Sequence, residues 1–200
     1  MKRQTLIIML KEPRAGRVKT RLGRDIGMTA AAWWFRHQVR RLLRNIQDPR
    51  WQIVLAVAPD NAAMANRVWP AHLQRIPQGR GNLGDRMARM MGAVNAGPVC
   101  LIGADIPGIN RQRIARAFGL LGQNDAVFGP APDGGFWLIG LKRTTPMPTR
   151  LFQNVRWSSA DALSDTIATL PTHKTAFCDT LRDVDTVADL NMTFPTGHDT

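Results

Sequence analysis

The sequence predicts an α/β fold of three layers, an α/β/α sandwich in which helices cover both faces of a mainly parallel mixed sheet. Its 200 residues are 44% hydrophobic and 21% charged, which is the ordinary composition of a globular domain. Short aliphatic runs alternate along the chain with segments of helical periodicity. This alternation is typical of parallel strands joined by helices. The sequence contains neither an internal repeat nor a long linker, so we expect a single domain over residues 1–200.

The first elements are a strand, a basic loop, a long helix and a second strand. Residues 5–10 are an aliphatic run of the kind found in buried strands, and the segment 11–27, with its glycines and proline, predicts a loop. Residues 29–46 bring their apolar side chains onto one helical stripe. Residues 52–58 then predict another buried strand, which ends at Pro59.

The middle of the chain predicts a short polar helix over residues 62–68 and a short strand near 72–76. A loop with two glycines leads to a helix over residues 83–95. Asn82 is a suitable N-cap for this helix, because its side chain can accept a hydrogen bond from a free N–H group of the first turn. Residues 99–103 form the next aliphatic strand.

The last part of the chain combines helices with closely spaced strands. A helix over residues 112–121 precedes strands over 126–128 and 136–141, and the Pro- and Gly-rich turn between these strands predicts one antiparallel strand in the sheet. The remaining predicted elements are the helix 158–170, which starts with a sequence similar to a capping box, the strand 174–177 and a short terminal helix capped by residues 186–189.

Positive charge is concentrated in the first half of the chain. Residues 1–100 contain 18 basic and 5 acidic side chains, a net charge of +13, whereas residues 101–200 contain 9 and 10, a net charge of −1. This asymmetry favours an anionic ligand, phosphate above all, with a metal ion as a bridge. Nucleic acid is the alternative ligand, but the sequence has no nucleic-acid-binding motif and its aromatic residues fall in runs typical of a core. A catalytically inactive fold that serves as a structural partner also stays open.

Two observations bear on where the protein acts. Cys100 and Cys178 provide neither a disulfide framework nor metal-ligand spacing. The apolar run near Met1 is short and lacks a cleavage site, and the longest aliphatic runs are far shorter than the roughly 20 residues of a membrane span. We therefore expect a cytoplasmic protein without a membrane span.

A cluster of cations follows the first strand directly. Such a loop can offer backbone N–H groups and several charges to a diphosphate, although a solvated basic loop is the alternative. The segment is not a Walker A loop, because Val18 stands where that motif requires glycine. Five cations fall within eleven residues around Gly16: Lys11, Arg14, Arg17, Lys19 and Arg21.

Acidic candidates lie in two other segments. Asp105 follows the strand 99–103, where a carboxylate could hold Mg²⁺ or Mn²⁺ against substrate phosphates or could cap the next helix. Near the end of the chain, we expect Asp183 and Asp185 to point to opposite sides of an extended segment. Only Asp185 would then reach the metal, while Asp183 would be bound by Arg182 or by a loop.

Two further segments could contact the substrate. The glycines of the turn 129–135 leave room for a sugar or an acceptor, and Asp133 could bind a hydroxyl group or act as a general base. A plain turn is the alternative. In the loop before the helix 83–95, Asp85 and Arg86 could reach a base or ribose, or could pair with each other.

Taken in order, five segments resemble one known family. They resemble GT-A-type glycosyltransferases of the nucleotide-diphospho-sugar transferase superfamily that are associated with radical-SAM enzymes and are often labelled as arsenosugar-biosynthesis enzymes. K-T-R-L and D-V-D-T are more distantly similar to 2-phospholactate guanylyltransferases and other nucleotidyltransferases. The five segments are K-E-P-R-A-G-R-V-K-T-R-L (11–22), G-N-L-G-D-R-M (81–87), I-G-A-D-I-P (102–107), G-P-A-P-D-G-G-F-W-L-I-G-L (129–141) and R-D-V-D-T (182–186).

The resemblance implies a metal-dependent transferase that passes a group from a nucleotide-activated donor to a small-molecule acceptor. The donor is a nucleotide sugar in glycosyl transfer and a nucleoside triphosphate in nucleotidyl transfer. Asp105 and Asp185 would hold Mg²⁺ or Mn²⁺, and Asp133 and Lys19 are the expected catalytic residues. The residues expected to bind substrate are Lys11, Arg14, Gly16, Arg17, Thr20, Arg21, Gly84, Arg86, Gly134 and Gly135.

The chain departs from both patterns. Glycosyltransferases of this fold usually carry D-x-D, whereas the segment 104–107 contains a single acid, Asp105. Nucleotidyltransferases usually have more glycines in the first loop, whereas Gly16 is the only glycine of the segment 11–22. Both reactions therefore stay open.

Overall fold

The sheet is built from seven strands in the residues that the computed structural model describes, 3–65, 68–144 and 146–193. The order across the sheet is β3-β2-β1-β4-β6-β5-β7, where the strands in chain order are β1 (Gln4–Lys11), β2 (Trp51–Ala58), β3 (Gln74–Pro77), β4 (Val99–Gly103), β5 (Ala126–Pro130), β6 (Phe136–Leu141) and β7 (Thr175–Phe177). Neighbouring strands are parallel except at β4–β6 and β5–β6. Within these residues β6 is therefore the antiparallel strand that the sequence predicts.

Helices cover both faces of this sheet. They are α1 (Thr20–Ile26), α2 (Met28–Asn45), α3 (Asp60–Ala65), α4 (Leu83–Ala93), α5 (Arg111–Leu120), α6 (Ala162–Ala168) and α7 (Val187–Thr193). The side chains of β1 alternate between the faces, because Leu6 and Ile8 belong to one core with α2 and α5, while Ile7 belongs to a second core with α4. The predicted three-layer α/β/α sandwich is confirmed.

Some helix boundaries differ from the prediction. Helix α1 lies inside the predicted loop, and its first turn has no side-chain cap that would mark its start in the sequence. Helix α6 begins later than residue 158, because Ser158 has a φ of 60° and interrupts helical geometry. The predicted helix 62–68 corresponds to α3, and its residues 66 and 67 lie outside the described residues. In the described part of the chain, no helix combines the length and the hydrophobicity needed to cross a membrane.

The strand directions bring several loops to one edge of the sheet. The last residues of β1 and β2 pair in parallel, as Lys11 opposite Ala58, and β4 ends nearby with Gly103 opposite Met9. The loops that follow these strands therefore share the carboxyl edge. Because β6 is antiparallel, the turn before it lies at the same edge, and in this turn Gly134 adopts a φ of 84° that favours glycine.

Candidate active site

Three carboxylates and one ammonium group meet at the carboxyl edge of the sheet. Asp105 follows β4, Asp183 and Asp185 follow β7, and one carboxylate oxygen from each lies within 4.8 Å of the others. The Lys19 Nζ atom lies 2.6 Å from Asp105 Oδ2 and 2.8 Å from Asp185 Oδ1. It also lies 4.0 Å from Asp183 Oδ2. Residues from three separate sequence segments thus form one compact charged cluster.

The backbone around Lys19 turns this side chain inward. Lys19 adopts a left-handed conformation with φ 47° and ψ 47°, which is uncommon for residues other than glycine. The preceding Val18 is buried in the core and anchors the loop. As a result the Lys19 side chain is only 6% exposed, although it belongs to a loop after a strand.

Asp183 and Asp185 both face the cluster, and Val184 between them is fully buried on the other side. The prediction that only Asp185 would reach the site was wrong. Side chains two residues apart in an extended segment share a face, and the residue between them points the other way. Arg182 pairs with Asp189 at 3.7 Å rather than with Asp183.

The charges in the cluster shift the pKa values of its members. Burial by itself lowers the pKa of Lys19, but the charge of Asp105 and hydrogen bonds to Asp105 and Asp185 outweigh it, so this pKa is raised. Burial raises the pKa of Asp183 to about 6, with further contributions from the neighbouring carboxylates and an opposing one from Lys19. Lys19 is therefore firmly cationic. Arg21 Nη1 lies 3.1 Å from Asp185 Oδ2, so the three carboxylates face two cations, of which Lys19 is the buried one.

The oxygen ligands of the cluster fit a hard divalent cation. The three carboxylate oxygens lie close enough together to share one ion, and Mg²⁺ and Mn²⁺ prefer oxygen ligands. Two of these carboxylates already bind a cation, the Lys19 ammonium group, in the structure. The structure thus brings together the two predicted metal ligands, Asp105 and Asp185, and adds Asp183 as a third candidate.

A cavity of about 510 Å³ opens beside the cluster. Asp105 and Asp185 lie on its wall, together with Thr20 of the predicted substrate-binding set. The remaining charge of the wall is positive and comes from the loop after β1, the start of α1 and the first turns of α4. The basic lining residues are Lys11, Arg17, Lys19, Arg21 and Arg86. We call this space the basic cavity.

Arg86 is held towards the basic cavity by a residue that the sequence analysis missed. Gln78 is 3% exposed, and its Nε2 atom donates hydrogen bonds to the carbonyl oxygens of Leu10 and Ala56. Its Oε1 atom accepts a hydrogen bond of 3.2 Å from Arg86 Nη1. No sequence signal marks Gln78, because its role depends on two strand ends that meet only in the fold.

The structure also settles the start of α4. Asn82 accepts a hydrogen bond from the Asp85 N–H group, and the Asp85 carboxylate accepts one from the Asn82 N–H group. The predicted N-cap is confirmed, and Asp85 completes a capping box. Arg86 is left to contact Gln78.

Among residues 3–65, 68–144 and 146–193, four predicted substrate-binding residues line neither the basic cavity nor a second, smaller cavity beside it at this edge. Arg14 is exposed and forms an ion pair of 2.6 Å with Glu12. A Cβ atom at Gly84 would lie 2.7 Å from Phe152 Cβ, so this glycine permits close packing. The four residues are Arg14, Gly16, Gly84 and Gly134.

A second cavity, of about 250 Å³, adjoins the basic cavity, and Asp105 lines both. Asp133 and Gly135 of the predicted set line it. The exposed Asp133 carboxylate accepts a hydrogen bond of 3.0 Å from the Gly135 N–H group within the turn. We call this space the acidic cavity, because Asp183 also lies on its wall.

One wall of both cavities comes from a segment that the sequence analysis missed. Trp157 lines both, and its ring packs against those of Phe136 and Phe152 with centroid separations of 6.3 and 6.0 Å. Arg156 holds the segment in place through an ion pair of 2.9 Å with Asp165. Arg156 and Trp157 do not directly follow a strand and belong to no recognised motif, so their place at the cavity wall becomes visible only in the packed structure.

Comparison with known proteins shows which structures this chain resembles and to which family it belongs. The chain superposes on the crystal structure of a protein from Desulfovibrio desulfuricans G20 that is provisionally assigned as a nucleotide-diphospho-sugar transferase. The TM-score is 0.89, the sequence identity is 30%, and the match covers 100% of this chain and 90% of that one. The chain has the fold of this superfamily, as the sequence resemblance implies. Residues 42–159 match the family described as "uncharacterized protein conserved in bacteria" (DUF2064), and the chain belongs to this family.

More distant structures share the fold alone. One is Rv0371c from Mycobacterium tuberculosis H37Rv in complex with manganese, with a TM-score of 0.55, 16% identity and coverage of 97% of this chain and 98% of that one. Another is 4-diphosphocytidyl-2C-methyl-D-erythritol synthase from Anaerococcus prevotii DSM 20548, with a TM-score of 0.57, 10% identity and 96% coverage of both chains. No curated protein matches the chain.

Proposed function

We propose that this protein is a metal-dependent transferase that uses a nucleotide-activated donor and acts as one GT-A-like nucleotide-binding domain over residues 1–200. The observation that carries the proposal is the cluster of Lys19 with three carboxylates beside the basic cavity. The provisional assignment of the Desulfovibrio protein and the manganese complex of Rv0371c support the donor class and the metal. The reaction that we favour is glycosyl transfer from a nucleotide sugar to a small-molecule acceptor.

The diphosphate of the donor would bind in the basic cavity. Arg17 and Arg21 are long and exposed, line this cavity and can form charge-assisted hydrogen bonds with phosphate oxygens. Lys11 adds a further charge at the end of β1. Arg86, on the α4 side and held by Gln78, would contact the base or ribose.

Asp105 and Asp185 would hold Mg²⁺ or Mn²⁺ with Asp183 beside them. When bound, the metal ion would neutralise negative charge on the leaving phosphate group. Lys19 lies within hydrogen-bond distance of two of these acids. Its ammonium group balances the carboxylates in the free protein and would contribute to phosphate binding once the donor is present.

Asp133 would act on the acceptor. In glycosyl transfer the bond between the anomeric carbon and the diphosphate oxygen breaks, and its electron pair leaves with the diphosphate. The acceptor oxygen forms the new bond to that carbon and gives its proton to the Asp133 carboxylate. The hydrogen bond from the Gly135 N–H group holds this carboxylate at the wall of the acidic cavity.

Nucleotidyl transfer is the second candidate, favoured by the single acid after β4, because Asp105 stands alone where D-x-D is usual in glycosyltransferases. In that reaction the acceptor oxygen attacks the α-phosphorus of a nucleoside triphosphate and pyrophosphate leaves. The narrower resemblance to radical-SAM-associated arsenosugar enzymes stays a prediction. So does a cytoplasmic location, with which the free thiols of Cys100 and Cys178 agree.

Thermal unfolding with a panel of nucleoside triphosphates and nucleotide sugars, each with and without Mn²⁺, tests the proposal. A ligand at 100 times its Kd stabilises by about 2.7 kcal/mol, which raises Tm by about 5–11 °C at about 2–4 °C per kcal/mol. We expect a metal-dependent shift with one donor class, lost in Asp105→Asn. The donor and the product distinguish the two reactions. A nucleotide sugar that releases a nucleoside diphosphate on turnover indicates glycosyl transfer, whereas a nucleoside triphosphate that releases pyrophosphate indicates nucleotidyl transfer.

Asp125→Asn is the matched control. Asp125 precedes β5 at the opposite edge of the sheet and accepts a hydrogen bond of 2.9 Å from the Lys174 N–H group, which an asparagine oxygen can also accept. This variant should keep the full shift. If no nucleotide shifts the Tm of the folded wild-type protein, the transferase proposal fails.

A further inference from the structure

The basic cavity and the acidic cavity share part of their walls. Two of the shared residues come from the sheet, Met9 of β1 and Gly103 of β4, which are direct neighbours across these two strands. The residues that line both cavities are Met9, Leu83, Gly103, Asp105, Trp157 and Ser158. We call this set the shared wall. A molecule that reaches from one cavity into the other therefore contacts these side chains.

The strand order places the shared wall between the two ends of the site. Arg86 lines the basic cavity and not the acidic one, and Gln78, which holds it, is bonded to carbonyl oxygens of β1 and β2. The acidic cavity is lined by residues of β4 and β6. The order β2-β1-β4-β6 then puts Met9 and Gly103 in the middle. If the base or ribose lies near Arg86, the group that the donor transfers lies at the shared wall.

Trp157 is held in the shared wall by close packing. Its ring contacts those of Phe136 and Phe152, with centroid separations of 6.3 and 6.0 Å. A Cβ atom at Gly84 would lie 2.9 Å from Trp157 Cζ2 and 2.7 Å from Phe152 Cβ, so a larger residue would displace both side chains. Phe152 and Ser158 adopt φ values of 66° and 60°, and such left-handed residues other than glycine are found preferentially at ligand sites. Gly84, which lines neither cavity, thus leaves the space that the Trp157 ring requires.

The side chains of the shared wall suit a sugar ring. Trp157 is partly exposed, and an indole packs well against the C–H groups on one face of a pyranose. The exposed Ser158 hydroxyl can donate and accept hydrogen bonds, and the Asp105 carboxylate can accept them, so both can bind sugar hydroxyl groups. A phosphoryl group presents only oxygen atoms to its surroundings and gains nothing from an indole. Trp157 therefore favours a sugar over a phosphoryl group at this place.

We propose that Trp157 and Ser158 bind the sugar of the donor at the shared wall, with the indole against an apolar face of a hexose ring and the hydroxyl group bonded to one of its hydroxyls. Trp157 is then a specificity-determining residue, and Gly84 is a positioning residue that acts through it. This inference rests on the proposed function and adds to it the residues that recognise the transferred group. The anomeric carbon then lies between the metal site and the acidic cavity, whose wall carries Asp133.

Calorimetric titration of the full chain with Mn²⁺ tests this inference with pairs of ligands that differ only in the sugar. The pairs are UDP and UDP-glucose, GDP and GDP-mannose, and ADP and ADP-glucose, and the pair that binds the wild type most tightly is used for the variants. Trp157→Leu should weaken the binding of the nucleotide sugar about tenfold, which corresponds to about 1.4 kcal/mol. Its affinity for the nucleoside diphosphate should be that of the wild type. Trp157→Phe keeps an aromatic ring and should restore most of the lost affinity.

Two controls separate a contact with the sugar from a general loss of structure. Trp33→Leu makes the same substitution at an exposed tryptophan of α2 that lines neither cavity, and it should leave both affinities unchanged. Gly84→Ala displaces Trp157 without changing a residue of either wall, and it should reproduce the selective loss of the nucleotide sugar. Gly92→Ala, in the same helix but with open space around the added atom, should not. Gly84→Ala also serves as the test if Trp157→Leu does not fold.

The possible outcomes separate this inference from the proposed function. Equal weakening of both ligands of a pair by Trp157→Leu would place the base or the diphosphate against the indole and overturn the inference, as would no weakening of either. Binding of nucleoside triphosphates but of no nucleotide sugar would also overturn it, while the transferase class would stand as nucleotidyl transfer. If no nucleotide binds the folded wild-type protein with Mn²⁺, the proposed function fails and this inference fails with it.

Discussion

Lys19→Met removes the buried cation of the acid cluster and keeps a side chain of similar length, while the exposed Arg21 stays paired with Asp185. The lost contacts are those of 2.6 Å to Asp105 and 2.8 Å to Asp185. Removing one partner of a buried ion pair costs about 3–5 kcal/mol, but these carboxylates are 29% and 38% exposed, so solvent screening reduces the expected loss to about 2–3 kcal/mol. At about 2–4 °C per kcal/mol, Tm should fall by about 4–12 °C without metal.

Calorimetry of the metal-free protein in the presence of a chelator measures this loss. A second scan with Mn²⁺ should show a larger stabilisation of Lys19→Met than of the wild type, because the ammonium group no longer competes with the ion for the carboxylates. Lys11→Met is the matched control. Lys11 is exposed at the end of β1, just before the same loop, and a surface substitution of this kind changes stability by less than about 0.5 kcal/mol. An unchanged Tm of metal-free Lys19→Met would refute the view that this cation balances the cluster.

Three further predictions follow from individual contacts. Arg17→Ala should weaken nucleotide binding about tenfold or more in calorimetric titrations, since hydrogen bonds to charged groups contribute about 1.5–3 kcal/mol. Arg24→Ala in α1, whose side chain lines neither of the two cavities, should leave this affinity unchanged. Equal affinities of the two variants would remove Arg17 from the donor site. Gly134→Ala should lower Tm, because Gly134 has a φ of 84° and a Cβ atom there would overlap the carbonyl group of Ala160. Gly92→Ala in α4, where nothing lies within 4 Å of the added atom, should instead stabilise by up to about 1 kcal/mol, and the reverse ranking would contradict the packing. Hydrogen bonds from Arg156 lower the pKa of Asp165 to about 2, so its stabilising contribution is complete above its ordinary pKa near 3.8 and is lost as the pH falls towards 2. Asp165→Asn should therefore lower Tm at pH 7 with a difference that narrows below pH 4, and a constant difference down to pH 3 would exclude this ion pair as the cause.

The fold followed from local patterns in the sequence, with errors where the pattern was weak. The aliphatic run of β4 and the strand β6 were predicted at their observed bounds, because strand periodicity and flanking turns are properties of a few adjacent residues. Helix α1 was missed, since a short helix that begins after a left-handed lysine has no capping sequence. The prediction that Asp183 and Asp185 point to opposite sides was a geometrical error, because residues two apart in an extended segment lie on the same face.

The sequence by itself determined the order of the strands and of the helices other than α1, the concentration of cations after β1 and the acid after β4, since each depends on residues that are neighbours along the chain. Only the tertiary structure decided that Lys19 contacts Asp185, 166 residues away. It alone decided that Trp157 and Asp105 both line the two adjoining cavities. These features depend on distances between remote segments, and such distances are set by the packing of helices on the sheet rather than by local conformational preference.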